Sequence, residues 1–206
     1  MHPIYKVNLP RISDELEHKL IVVASQYESF KYNNGTIGQK YYEEGITSDR
    51  IETLKQLYGF DHIPQHRSQG FDVTLQNVVR NTLDLPIINS MYVQVIESKD
   101  SFIHTDGGHR KCSLYYLMSD NKPSVTKFYK TTEEPFVSTV YRPQDVTEYF
   151  SYEMEQHCWH TFNHDEIHSV NNIQGLRIGL ILDMTKQFKD YEQFILFLKD
   201  KGLVDA

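Results

Sequence analysis

The hydrophobic pattern divides the chain into two zones. Between residues 11 and 85 apolar positions recur at helical spacing. Ser13 can cap a helix with Asp14 and Glu15 in its first turn, where acidic groups suit the dipole. Ile12, Leu16, Leu20 and Val23 then share one face. Asn33-Asn34-Gly35 predicts a tight turn between short strands near Phe30 and Tyr41. Ser48 or Asp49 starts a second helix, with Ile51, Leu54 and Leu57 or Tyr58 on one side and Gly59 at its end. Residues 72–83 read as a third helix, stopped before Pro86.

From residue 88 to 184 the pattern changes to short β-rich runs at 88–97, 102–105, 111–118, 125–130, 136–141, 146–154, 157–163 and 176–183. Turn material separates them, including Gly107-Gly108, Arg142-Pro143 and Asn171-Asn172. Many short strands with regular turns predict a mainly β sandwich or barrel with flanking helices. The tail, residues 185–201, carries Phe188, Tyr191, Phe194, Ile195 and Leu198 on one stripe and predicts a helix packed on that barrel. The organisation expected is a single domain over 1–206: a helical preface at 1–85, a core at 88–184 and a C-terminal helix at 185–201.

Composition narrows the classes. A chain of 206 residues with 39% hydrophobic and 24% charged residues is neither a disordered tail nor a membrane bundle. No apolar run approaches the roughly 18 residues of a membrane span. A net charge of −7 argues against a protein held to nucleic acid by phosphate neutralisation. Cys112 and Cys158 cannot form a disulfide framework, and residues 1–9 show no apolar signal core, so a reducing, cytoplasmic setting is expected. Ten histidines and fourteen tyrosines exceed what a plain core needs.

Three features carry chemistry. His104-Thr105-Asp106 lies between a strand and Gly107-Gly108; alone it reads equally as a loop Asp capping its own backbone beside a His. His168 lies in Glu166-Ile167-His168-Ser169-Val170. Arg177 interrupts an apolar strand, where a guanidinium must find an anion; a buried salt bridge to a core carboxylate is the competing reading. Together, two imidazoles and one carboxylate facing inward would bind one side of a metal and leave open positions, a set suited to non-haem Fe(II).

The order His104-x-Asp106, His168 sixty-four residues after His104, and Arg177 nine residues further on resembles the Fe(II)- and 2-oxoglutarate-dependent dioxygenases. The run His109–Tyr116 and the stretch Thr126-Lys127-Phe128-Tyr129 resemble the strands that follow in that family. The resemblance covers residues 88 to 184. It implies a double-stranded β-helix, a cupin-like jelly-roll of prolyl-hydroxylase type. The His-x-Asp would end the second core strand, the distal His begin the seventh, and the Arg lie on the eighth. It further implies iron held by His104, Asp106 and His168, and 2-oxoglutarate gripped by Arg177 through its distal carboxylate. Dioxygen would be the oxidant, and the products succinate, carbon dioxide and a hydroxylated small molecule or peptide.

Other residues stay open between roles. Tyr92 and Gln94 alternate with Val93 and Val95 and would either bind the co-substrate or pack in the core; Tyr116 and Thr126 have the same standing. His109, Arg110 and Lys111 form a basic cluster beside the triad, and Arg110 rivals Arg177 as a carboxylate anchor. His160, His164 and His168 would form a metal stripe on a helix, but Trp159, Thr161 and Phe162 favour a strand. His157, His160 and His164 are therefore expected on the surface or just behind the ligands. The alternatives are a metal-binding barrel without oxygenase chemistry (an isomerase, hydrolase or sugar-binding protein) and a non-enzymatic interaction protein.

Overall fold

In the computed structural model the described residues are 1–25, 56–57, 65–68, 73–84, 88, 90–97, 100–106, 110–120, 122–136 and 139–205. The hairpin expected between Phe30 and Tyr41 lies outside them. So do most of the helix expected from residue 48, and Gly107, Gly108 and His109.

Among the described residues nine strands and three α-helices follow in chain order. They are β1 (Ile4–Val7), α1 (Asp14–Ser25), β2 (Gln65–Ser68), α2 (Val73–Leu83), β3 (Ser90–Glu97), β4 (Ser113–Asp120), β5 (Val125–Lys130), β6 (Thr147–Glu153), β7 (Trp159–Phe162), β8 (Ile167–Asn171), β9 (Leu176–Asp183) and α3 (Tyr191–Asp200). A large antiparallel sheet has the order β1-β7-β4-β9-β3-β2, and a small one the order β6-β5-β8. His104 extends the small sheet, bridging to His168 on one side and Val140 on the other.

The winding is that of a double-stranded β-helix. With the 102–105 segment counted as the second core strand, β3, β4, β7 and β9 enter the large sheet, while that segment, β5, β6 and β8 enter the small one. The chain crosses between sheets almost every time it turns, as in a jelly-roll. The fold is therefore mainly antiparallel β with a few flanking helices.

Each face of the large sheet has its own core. On the outer face Val93, Leu114, Tyr116, Trp159, Leu180 and Leu182 pack with Leu16 and Leu20 of α1, Val79 and Leu83 of α2, and Phe194 and Leu198 of α3. Full burial of such a side chain contributes about 1.5–3 kcal/mol, so this layer anchors the helices. On the inner face Tyr92, Tyr115 and Ile181 meet Phe128 of the small sheet, with Met154 and Phe162. α1 begins as expected: the Leu16 amide donates to Ser13 Oγ at 3.3 Å. Its Glu17 is buried and accepts from the Tyr116 hydroxyl at 3.0 Å and pairs with His157 at 2.9 Å.

Several expectations need correction. The tail helix starts at Tyr191 rather than 185, because Asp190 is extended and its carboxylate caps the Gln193 amide at 2.9 Å. Of the run expected over 136–141, residues 137 and 138 lie outside the described residues, and Val140 makes an isolated bridge to His104. β1 and β2 are additions at the two edges of the large sheet. Among the described residues no helix is long and apolar enough to cross a membrane.

Candidate metal centre and its cavity

His104 and His168 are brought together by backbone pairing. The His104 amide donates to the His168 carbonyl at 3.0 Å and the His168 amide to the His104 carbonyl at 2.8 Å. Residues that exchange both bonds in an antiparallel pair project to the same side, so the imidazoles lie next to each other, ring centroids 4.6 Å apart. The Asp106 amide donates to the His164 carbonyl at 3.1 Å, which brings the carboxylate to the same place. One ligand atom from each of His104, Asp106 and His168 lies within 4.8 Å of the other two.

The tautomers are set by carbonyls, which can only accept. His104 Nδ1 donates to the Phe102 carbonyl and His168 Nδ1 to the Glu166 carbonyl, each at 2.9 Å. In both neutral rings the Nε2 lone pair is therefore left for a ligand, the orientation a metal-binding imidazole needs. Both rings stay neutral. Burial, with His168 beside it, pushes His104 down to about 3, and burial lowers His168 as well.

Asp106 is held as an anion. Burial alone would raise its carboxyl, but the Arg110 guanidinium and His164 hold it well below the usual carboxylate range. Arg110 contacts Asp106 Oδ2 through Nη2 at 2.6 Å and Nε at 3.1 Å, and its Nη1 donates to the Tyr92 hydroxyl. Asp106 Oδ1 instead faces His104 Nε2, at 3.7 Å.

A cavity runs from this triad into the barrel, lined among others by Gln94, Tyr115, Thr126 and Arg177. Arg177 is buried on β9 and has only neutral partners. Nε donates to Ser124 Oγ at 2.9 Å, Nη1 to the Tyr115 hydroxyl at 2.6 Å, and Nη2 lies 3.2 Å from Met154 Sδ. Among the described residues no carboxylate forms an ion pair with it, contrary to the salt-bridge reading. Nearby, Thr126 Oγ1 is buried with no hydrogen-bond partner. Asp120, buried and opposite Arg177 in the strand register, shares Ser124 with it without forming an ion pair. A guanidinium bonded to neutral groups and a nearby hydroxyl without a partner among the described residues could both serve one small anion.

The candidates thus fall into groups. His104, Asp106 and His168 converge; Arg177, Gln94 and Thr126 line the cavity; Tyr92 serves Arg110. Tyr116 is a correction: it lies on the outer face, against Trp159 and Glu17, and does not reach the cavity. Its neighbour Tyr115 does, because alternate residues of a strand face opposite ways. Tyr115 fits only because residue 179 is glycine: a Cβ there would overlap the Tyr115 ring. Arg110 is bound to Asp106 rather than free to anchor a ligand. His160 and His164 are both buried, not on the surface. His164 bears directly on Asp106, just behind the ligands, one of its two expected places.

No protein-family model matches the chain, and no curated protein matches it in sequence. Solved structures similar in shape include an oxidoreductase of the 2OG-Fe(II) oxygenase family from Burkholderia pseudomallei. Its identity is 10% and its TM-score 0.37, over 66% of this chain and 76% of that one. A Pseudomonas putida prolyl-4-hydroxylase has 10% identity and a TM-score of 0.45, over 88% of this chain and 91% of that one. A cupin domain from Bordetella pertussis Tohama I has 8% identity and a TM-score of 0.29, over 48% of this chain and 90% of that one. By its own strand order the chain folds as a double-stranded β-helix, with His-x-Asp on the second core strand, His168 on the seventh and Arg177 on the eighth.

Proposed function

We propose that the protein is a non-haem Fe(II)- and 2-oxoglutarate-dependent dioxygenase. It would hydroxylate a small molecule or peptide in a reducing compartment. The overall reaction consumes 2-oxoglutarate, dioxygen and a C–H bond, and gives succinate, carbon dioxide and an alcohol. The observation that carries this reading is Arg177: a buried guanidinium with neutral partners only, in the same cavity as a two-histidine, one-carboxylate cluster.

The residues fit the groups this chemistry needs. His104, Asp106 and His168 would hold the ion, two neutral nitrogen donors and one anionic oxygen suiting Fe(II) with positions left open. Bound iron would supply the activation of dioxygen. Arg177 would bind the distal carboxylate of 2-oxoglutarate through its fork of donors, and the Thr126 hydroxyl would add a hydrogen bond to the same group. Tyr115 and Ser124 would keep the guanidinium aimed into the cavity. Phe162 and Ile181, on the cavity wall, would keep water from the reacting end.

The test is succinate release from 2-oxoglutarate by metal-free protein, with and without added Fe(II), alongside direct binding of both. Iron-dependent succinate is expected, and His104→Ala or His168→Ala should abolish it. Tight metal binding without any succinate or co-substrate binding would overturn the oxygenase reading in favour of a metal-binding barrel of another activity.

A further inference from the structure

His164 belongs to none of the roles above, yet it is 1% exposed and bonded at both ring nitrogens. It stands in the turn between β7 and β8, four residues before His168. Its Nδ1 meets Asp106 Oδ2 and its Nε2 meets Ser113 Oγ at 2.5 Å. A carboxylate can only accept, so Nδ1 carries the hydrogen and Nε2 accepts from the Ser113 hydroxyl. The ring is wedged against Phe162, centroids 4.1 Å apart, and the His164 carbonyl also receives the Asp106 amide at 3.1 Å. His164 thus holds Asp106 by both main chain and side chain.

All the side-chain donors to this carboxylate fall on one oxygen. Among the described residues Oδ2 takes Arg110 Nε, Arg110 Nη2 and His164 Nδ1, while Oδ1 takes no side-chain donor and faces His104. A carboxylate pinned in this way can neither rotate nor present two oxygens to an ion. His164 itself stays outside the cluster whose ligand atoms converge.

We propose that His164 is a positioning residue. With Arg110 it occupies Asp106 Oδ2, so that Asp106 binds the metal through Oδ1 alone and a further position stays open for ligands. This rests on the reading of His104, Asp106 and His168 as metal ligands. Groups that orient metal ligands typically affect affinity by about 10–100-fold.

The test is anaerobic titration of the metal-free full-length protein with Co(II), followed by calorimetry and by the visible absorption of the bound ion. Thermal unfolding without metal serves as the folding control. His164→Ala should bind Co(II) about 10–100-fold more weakly than the wild type, with an altered spectrum and a metal-free melting temperature that does not account for the loss. His164→Asn, whose amide nitrogen can take the place of Nδ1, should recover most of the affinity. His164→Gln, whose amide lies nearer the place of Nε2, should not. If His164→Ala does not fold, the Asn and Gln variants decide the matter. Equal affinity in wild type and His164→Ala, or in Asn and Gln variants, overturns the proposal. Complete loss in all three variants, as in His168→Ala, overturns it in favour of a ligand role. Failure of the wild type itself to bind Co(II) would instead overturn the ligand reading on which the proposal rests.

Discussion

Two arginines reach the same cavity in opposite electrostatic circumstances. Arg110 closes on Asp106 and is neutralised by the protein itself; burial would lower its pKa, but Asp106 raises it above the usual range. Arg177 touches a serine, a tyrosine and a methionine sulfur. In sequence Arg110 sits in a basic cluster beside the triad and Arg177 inside an apolar strand. The fold separates them: one is paired with a carboxylate, and the other is hydrogen-bonded to neutral groups, which is what the proposed anion site rests on.

This contrast can be broken most sharply at Arg177. Arg177→Leu should weaken 2-oxoglutarate on the order of 100-fold or more, the effect of removing one partner of a buried charge pair, while metal affinity changes little. Isothermal titration with each ligand checks this; equal losses would make Arg177 a folding residue like Arg110. Arg110→Leu should do the reverse. Metal affinity should fall about 10–100-fold and the melting temperature should drop, because Asp106 loses its main counter-charge.

Smaller effects follow from unpartnered groups. Thr126→Val removes a hydroxyl that has no partner while keeping its shape. The metal-free protein should melt no lower than wild type, and 2-oxoglutarate should bind about 5-fold more weakly, one hydrogen bond's worth. The smallest effect concerns His160, which repeats the contrast among histidines. His164 is bonded at both nitrogens, whereas neither nitrogen of His160 has a hydrogen-bond partner among the described residues. Burial pushes His160 down to about 4, below the value near 6.5 of an unfolded chain. Between those values the unfolded state holds more protons, so stability falls as pH drops from about 6.5 towards 4. His160→Leu should flatten that part of the melting-temperature profile and leave metal affinity unchanged.

Much of the barrel was legible because short β-rich runs alternate with turn residues, and six of the eight expected runs correspond to strands. What was missed has physical causes. β1 and β2 are only four residues long, and β2 is polar, so neither carries a periodic signal. On β4 almost every residue is buried, seven of eight, so nothing in the sequence sets the phase of alternation. Tyr116 was therefore read for Tyr115. The triad was legible as residue types in order, because a His-x-Asp and a later His retain their spacing signal. His164 was legible only as either a surface residue or one just behind the ligands, since its partner is 58 residues away. Arg177 could be recognised as needing an anion, but only its neighbours in space show that no carboxylate among the described residues pairs with it.

Gly179 has a bearing on ancestry and engineering. Because the Tyr115 ring fills the space where a side chain at 179 would begin, the two positions share one volume. Neither can drift alone: a methyl at 179 displaces the tyrosine that steadies Arg177, and a smaller residue at 115 leaves a void beside a bare glycine. Among relatives that keep this arginine, residues 115 and 179 should co-vary as a large-and-absent pair. A redesign of this cavity would begin by exchanging that pair together.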